Sequence, residues 1–345
     1  MSVEFIGVSF PENTQWHEDE VRVIETLKKQ IDKSFYGQKN LFINSTWFGP
    51  RYDNGQYEKF TETCSVRQFD NVFLMAAADP VTLANHEIDE LQQISGGQLH
   101  LVGHFDTRFS FNFHSIVLPN YFKKYSHQEV EMLYPKYTFV NYNRKPRDHR
   151  TKLVKELINR GLEQHNIITH GTNNADHQVN TDNVNLSLTL NETIEEIGEE
   201  NQWWPDEHGI PHDIHSLGRL DVWQNHFLSI VSETEHHNDN PTFVSEKTWK
   251  PVIGMRPFII NGQTKVYKWL RERGFRTFNQ YWDHIPIENA VEAQDTCADV
   301  AEFLSGKLKK ELQEMYKDMT PDLLHNKNRF YEFSREQKYK TENLF

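Results

Sequence analysis

Two stretches of this sequence place cations where a helix start disfavours them. Residues 243–262 read Phe-Val-Ser-Glu-Lys-Thr-Trp-Lys-Pro-Val-Ile-Gly-Met-Arg-Pro-Phe-Ile-Ile-Asn-Gly. Ser245 has the N-cap chemistry, a hydroxyl that accepts from a first-turn amide. Gly254 closes the helix, and 258–260 form a buried apolar strand. Lys247 then falls in the first turn, where the helix dipole favours acids by about 0.3–1 kcal/mol. An anion held by the lysine and the turn's amides explains that choice, and phosphate is the usual anion at such a place. Residues 141–150, Asn-Tyr-Asn-Arg-Lys-Pro-Arg-Asp-His-Arg, repeat the pattern with four cations, Arg144, Lys145, Arg147 and Arg150. Arginine suits phosphate because its planar fork forms paired bonds. A solvated turn is the plain alternative for either run. Two basic strand–helix junctions in one domain favour the anion. A third stretch, 232–237, Ser-Glu-Thr-Glu-His-His, sets carboxylates after an apolar strand, where they either accept from sugar hydroxyls or form an exposed acidic loop.

The elements that position these residues follow from periodicity. Strands are expected at 3–8, 41–44, 71–75 and 99–102, with 115–118 as a further strand. Helices are expected at 18–31 and 81–94, the first with Val21, Val23, Ile24, Leu27 and Ile31 at near-helical spacing. A second series has strands at 137–142, 167–169, 227–231 and 258–260, with helices at 147–160 and 265–273. Residues 292–316 are expected to be largely helical, with Val300, Phe303, Leu304, Leu308 and Leu312 as a buried stripe. Strands separated by helices predict a parallel sheet covered on both faces, with ligands beyond the carboxyl ends of the strands. In the first series those ends carry Asp79, His104 and Asp106, the candidates for a catalytic base by position.

Composition narrows the class. At 345 residues the chain is comfortable for two domains. The net charge of −13 opposes broad, non-specific binding to nucleic acid. No run reaches the roughly 18 apolar residues of a membrane span. The start lacks a basic segment followed by a long apolar one, and the two cysteines, Cys64 and Cys297, lie far apart, so a reducing cytoplasm is expected.

The order of strand, Glu-rich turn, Ser-Glu-Lys helix and Pro-Phe-Ile-Ile strand resembles the donor-binding half of α-1,3-fucosyltransferase-like glycosyltransferases. These have two Rossmann-like domains of the GT-B type, and the look is closest to compact phage and bacterial members. The motif falls on 227–233 and on Ser245, Glu246 and Lys247, and the strand–Asn–loop–Arg–helix segment falls on Asn141 to Arg150 and beyond. The resemblance covers about 137–283. It implies an α/β fold of two Rossmann-like domains facing across a cleft, with C-terminal helices. The expected layout is an acceptor domain at 1–133, a nucleotide-sugar domain at 134–320 with an insertion at about 171–218, and a helical tail at 321–345 packing back on the first domain. It also implies roles. Lys247 and Arg150 would neutralise the donor diphosphate, and Asn141, Arg144, Arg147 and Ser245 complete the expected donor-binding set. Glu246 would bind the ribose and Glu233 would lie by the sugar. A hydroxyl acceptor (glycan, protein, small molecule or modified nucleobase) would receive the sugar, with no metal and no resident cofactor required. Thr234-Glu235 stands where the family has Asn-Ser, and Ser245 replaces Thr, which leaves donor base and sugar open. A non-catalytic nucleotide- or nucleic-acid-binding protein on the same fold is the alternative.

His208, His212 and His215, near Asp206 and Asp213, invite a metal reading and a hydrolase. Their spacing fits no tetrahedral pattern, and Pro211 breaks any helix that would present them together. Trp203-Trp204 serve equally as a stacking surface or as a small core for the insertion.

Overall fold

A computed structural model describes residues 4–7, 15–44, 56–76, 85–104, 107–143, 147–170, 217, 220–289 and 292–345. The chain divides into two compact units. One holds Met1–Val117, Asp239–Phe243 and Phe333–Phe345, and the other Leu118–Asn238 and Val244–Glu332. Each carries a four-stranded parallel sheet, so the protein is an α/β chain of Rossmann-like units. Among the described residues no helix is long and apolar enough to cross a membrane.

In the first unit β1 (Glu4–Gly7), β2 (Asn40–Asn44), β3 (Asn71–Ala76) and β4 (Gln98–Gly103) lie side by side in that order. Their helical connections are α1 (Gln15–Ser34), α2 (Gln56–Val66) and α3 (Asn85–Ser95). Alternation sorts the side chains. Leu41, Ile43, Val72 and Leu74 pack with Phe60, Phe69 and Leu91 in one cluster. Phe73 points the other way, against Phe35 and Phe345 at ring-centroid distances of 5.1 and 5.2 Å. In α1 the residues Val23, Ile24, Leu27 and Ile31 are buried, whereas Val21 is exposed.

One strand expected from sequence is a helix. Residues 115–118 lie inside α4 (Phe113–Phe122). The Asn112 side chain accepts from the Ser115 amide at 2.8 Å, a cap that starts the helix. The short α5 (His127–Val130) follows, opened by a capping box between Ser126 and Glu129.

The second unit contains β5 (Tyr137–Asn141), α6 (Asp148–Asn159), β6 (Ile167–Ile168), α7 (Leu220–Asn225), β7 (His226–Ser232), α8 (Glu246–Ile253), β8 (Phe258–Asn261) and α9 (Lys265–Glu272). The helices α10 (Ala293–Ser305) and α11 (Lys309–Glu342) end the chain. All of β7 and β8 is buried, as expected of strands covered on both faces. The helical stretch expected at 292–316 is broken at Gly306, and Leu308 beyond the break is exposed rather than part of the buried stripe. The helical tail expected from Pro321 is the later part of α11, and its last residues, Phe333–Phe345, belong to the first unit. The helix runs through Pro321 without a stop. Buried Met319, Leu323 and Phe330 on either side hold it, although the proline removes one backbone bond.

Strand order in this second sheet is β6-β5-β7-β8. The chain leaves β5 toward β6 on one side, then returns to place β7 on the other. The carboxyl ends of β5 and β7 therefore flank a topological switch point, where parallel sheets leave a crevice for ligands.

Candidate functional site

The α6 start is built from the segment after β5. Asn141, fully buried at the strand end, donates through Nδ2 to Ile230 O at 2.8 Å and to Ser232 Oγ at 3.2 Å. Asn143 donates to Asn141 Oδ1 at 2.5 Å and to Thr169 O at 3.2 Å. These amides tie the ends of β5, β6 and β7 together, so Asn141 acts through the scaffold. Arg147 is the N-cap of α6 and supplies no side-chain capping bond. Its guanidinium instead reaches the turn after β7, donating to Thr234 O at 2.9 Å. His149 Nε2 and Arg150 Nη2 both donate to Glu233 O, at 2.9 and 3.2 Å.

That bond fixes the histidine tautomer, because a carbonyl oxygen only accepts. Burial, then the charges of Arg150 and His236, push the His149 pKa down to about 2, so the ring stays neutral. His236 stacks on it with centroids 4.3 Å apart and planes inclined by 18°.

Glu233 is the hub of the turn. Oε1 accepts from the Ser245 amide at 3.1 Å and from Thr248 Oγ1 at 2.6 Å. Oε2 accepts from Ser245 Oγ at 2.6 Å and from the Thr234 amide at 3.1 Å. The side chain is completely buried. It faces the α8 start and the backbone of its own turn, so its visible task is to position Ser245. Ser245 passes the contact on, accepting from the Lys247 amide at 3.3 Å as the N-cap of α8.

Lys247 Nζ lies 2.6 Å from Glu246 Oε1 and 3.4 Å from Thr234 Oγ1. Glu246 occupies the first helical position, where the dipole favours an acid. The anomaly read from sequence is thus partly met inside the chain. Lys247 keeps about a third of its side chain exposed, at 32%, against 10% for Glu246. Arg147 and Lys247 approach Thr234 from two helix starts, one through its carbonyl and the other through its hydroxyl. Glu235 finishes the turn, accepting through Oε1 from the amides of His236 and His237 at 2.8 Å each. Gly262 after β8 permits this packing, since a Cβ there would stand 3.0 Å from Glu233 Cβ and 3.1 Å from Glu235 O.

Of the expected nucleotide-holding residues, Asn141, Arg147, Arg150, Glu233, Ser245, Glu246 and Lys247 are brought together at the switch point. Arg144 lies outside the described residues. Sequence reasoning did not single out Thr234 as the meeting point or His149 as a strap, because both roles depend on partners distant in the chain. Of the expected base candidates only His104 is described. It is buried after β4, its ring 4.7 Å from that of Phe243 and 6.0 Å from that of His114. Asp79 and Asp106 lie outside the described residues, as do His208, His212, His215 and Trp203-Trp204. Among the described residues no group of three His, Cys, Asp or Glu side chains is placed to hold a metal ion.

No family model, curated protein or solved structure matches this chain.

Proposed function

We propose that the crevice between the ends of β5 and β7 holds the diphosphate of a nucleotide sugar, and that the chain is a glycosyltransferase of the two-domain GT-B type. The observation that carries this reading is the convergence of Arg147, Arg150 and Lys247, from two helix starts, on the turn at 233–235 at a topological switch point. As the glycosidic bond breaks, negative charge grows on the departing diphosphate. Fixed cations and the helix-start amides stabilise that charge. Side chains supply the neutralisation, so the reading requires no resident metal or cofactor. An acceptor hydroxyl attacks the anomeric carbon and loses its proton to a base. Asp79, His104 and Asp106, at strand ends in the sequence, are the candidates for that base. Glu246, joined to Lys247, is the carboxylate for ribose hydroxyls.

A non-catalytic nucleotide-binding protein is the second reading. It is favoured by the inward-facing Glu233 carboxylate, which leaves the sugar position without that acid. Incubation with a panel of nucleotide sugars separates the two. The glycosyltransferase reading expects slow release of nucleoside diphosphate without acceptor, water taking the acceptor's place. Binding without any release leaves the non-catalytic reading.

A further inference from the structure

The turn that receives Arg147 and Lys247 carries an imidazole two residues on. His236 is half-buried, stacked face to face on His149, with the His237 ring centroid 3.9 Å away and tilted by 40°. Its charged and titratable surroundings come from two elements. The α6 start presents Arg147, Asp148 and His149, and the turn itself presents Glu235 and His237. Resting on the diphosphate reading above, we propose that His236 is a further anion-binding residue of this site, which takes up one proton from solution when the diphosphate binds and meets it as an imidazolium.

Three features support it. In the free protein the ring is disfavoured as a cation, by burial first and then by His237 and Arg147, against the opposing pull of Glu235 and Asp148. A diphosphate bridging Arg147 and Lys247 adds negative charge beside the same ring and reverses that balance. His149, neutral beneath it, supplies a flat face without a competing charge and does not titrate in the same range. Affinity should therefore rise as pH falls through the bound-state pKa of His236, and level off below its free-state value. Each pKa unit by which the ligand raises the ring corresponds to about tenfold in affinity.

The test is calorimetric titration of the full chain with GDP, UDP, ADP and CDP and a sugar conjugate of each, at pH 8, 7 and 6. Two buffers of different ionisation enthalpy report the protons taken up. The sugar conjugates avoid the terminal phosphate's own titration, and wild type minus variant cancels what remains. His236→Gln is the variant and His237→Gln the control, both checked for folding by thermal unfolding. The expected result is proton uptake in wild type and His237→Gln, with a pH-dependent gain in affinity about tenfold larger than in His236→Gln. Equal uptake and equal pH slopes in wild type and His236→Gln would overturn the inference while leaving the diphosphate site standing. Absence of binding by every nucleotide at every pH would remove the diphosphate reading itself, and the inference with it.

Discussion

Ser245 Oγ stands 2.6 Å from Glu233 Oε2, donating to it, while it accepts from the Lys247 amide at 3.3 Å. One hydroxyl thus connects the buried carboxylate after β7 to the cation at the start of α8. The cap, the acid and the lysine form one unit, and disturbing the acid should be felt at the lysine.

Glu233→Ala removes the acceptor for four donors, the amides of Ser245 and Thr234 and the hydroxyls of Ser245 and Thr248. Unsatisfied buried donors cost about 1–3 kcal/mol each, partly recovered by relaxation. A loss of about 3 kcal/mol in urea unfolding is expected. A loss below about 1 kcal/mol would show that the carboxylate is not the hub described here.

Lys247→Ala and Arg150→Ala should separate. Lys247 is partly exposed and, among the described residues, pairs with Glu246 and Thr234, so its loss should change stability by no more than about 0.5 kcal/mol. Arg150 is buried and strapped to Glu233 O, so its truncation should cost about 2 kcal/mol or more. Chemical unfolding of both variants checks the order, and equal stabilities would contradict it.

Acid should destabilise the second unit through two buried histidines. Burial is the first cause in each, pushing His149 down to about 2 and His226 down to about 3 from the ordinary 6.5. Above 6.5 neither folded nor unfolded chain holds the extra proton, and these groups contribute nothing to the pH dependence. Below it the unfolded chain takes up protons that the folded chain refuses. Stability then falls with pH by about 1.4 kcal/mol per unit for each ring, until the folded pKa is reached. Urea unfolding between pH 6.5 and 5 should show this slope, reduced in His226→Gln. An unchanged slope in that variant would remove His226 from the explanation.

Gly262→Ala should disturb the turn from outside. The added methyl would meet Glu233 Cβ, Glu235 O and Ile260 Cγ2 at 3.0, 3.1 and 3.2 Å. Overpacking of this kind costs about 1–3 kcal/mol. Unfolding by denaturant reads it, and wild-type stability would mean that the turn yields freely.

Much of this architecture was legible because buried parallel strands write themselves as short apolar runs. The 227–231 and 258–260 runs lie within β7 and β8 for that reason. The 115–118 run shows the limit, since Ser-Ile-Val-Leu fits a buried helix as well as a strand. The deciding signal was Asn112, three residues ahead of Ser115 and in capping position. Charges at the helix starts were readable as types and positions. Their distant partners were not, because Thr234 between the two cations acquires meaning only once β7 lies next to β5. Glu233 shows the same effect, since a carboxylate at a strand end gives no sign of which way it turns.

The most direct test of the central claim is thermal unfolding of wild type and Lys247→Ala with GDP, UDP, ADP and CDP, first without metal and then with magnesium. A nucleotide at about 100 times its dissociation constant adds about 2.7 kcal/mol. The account predicts a clear upward shift with one base, present without metal and lost in Lys247→Ala. No shift with any nucleotide, or an equal shift in the variant, would contradict it.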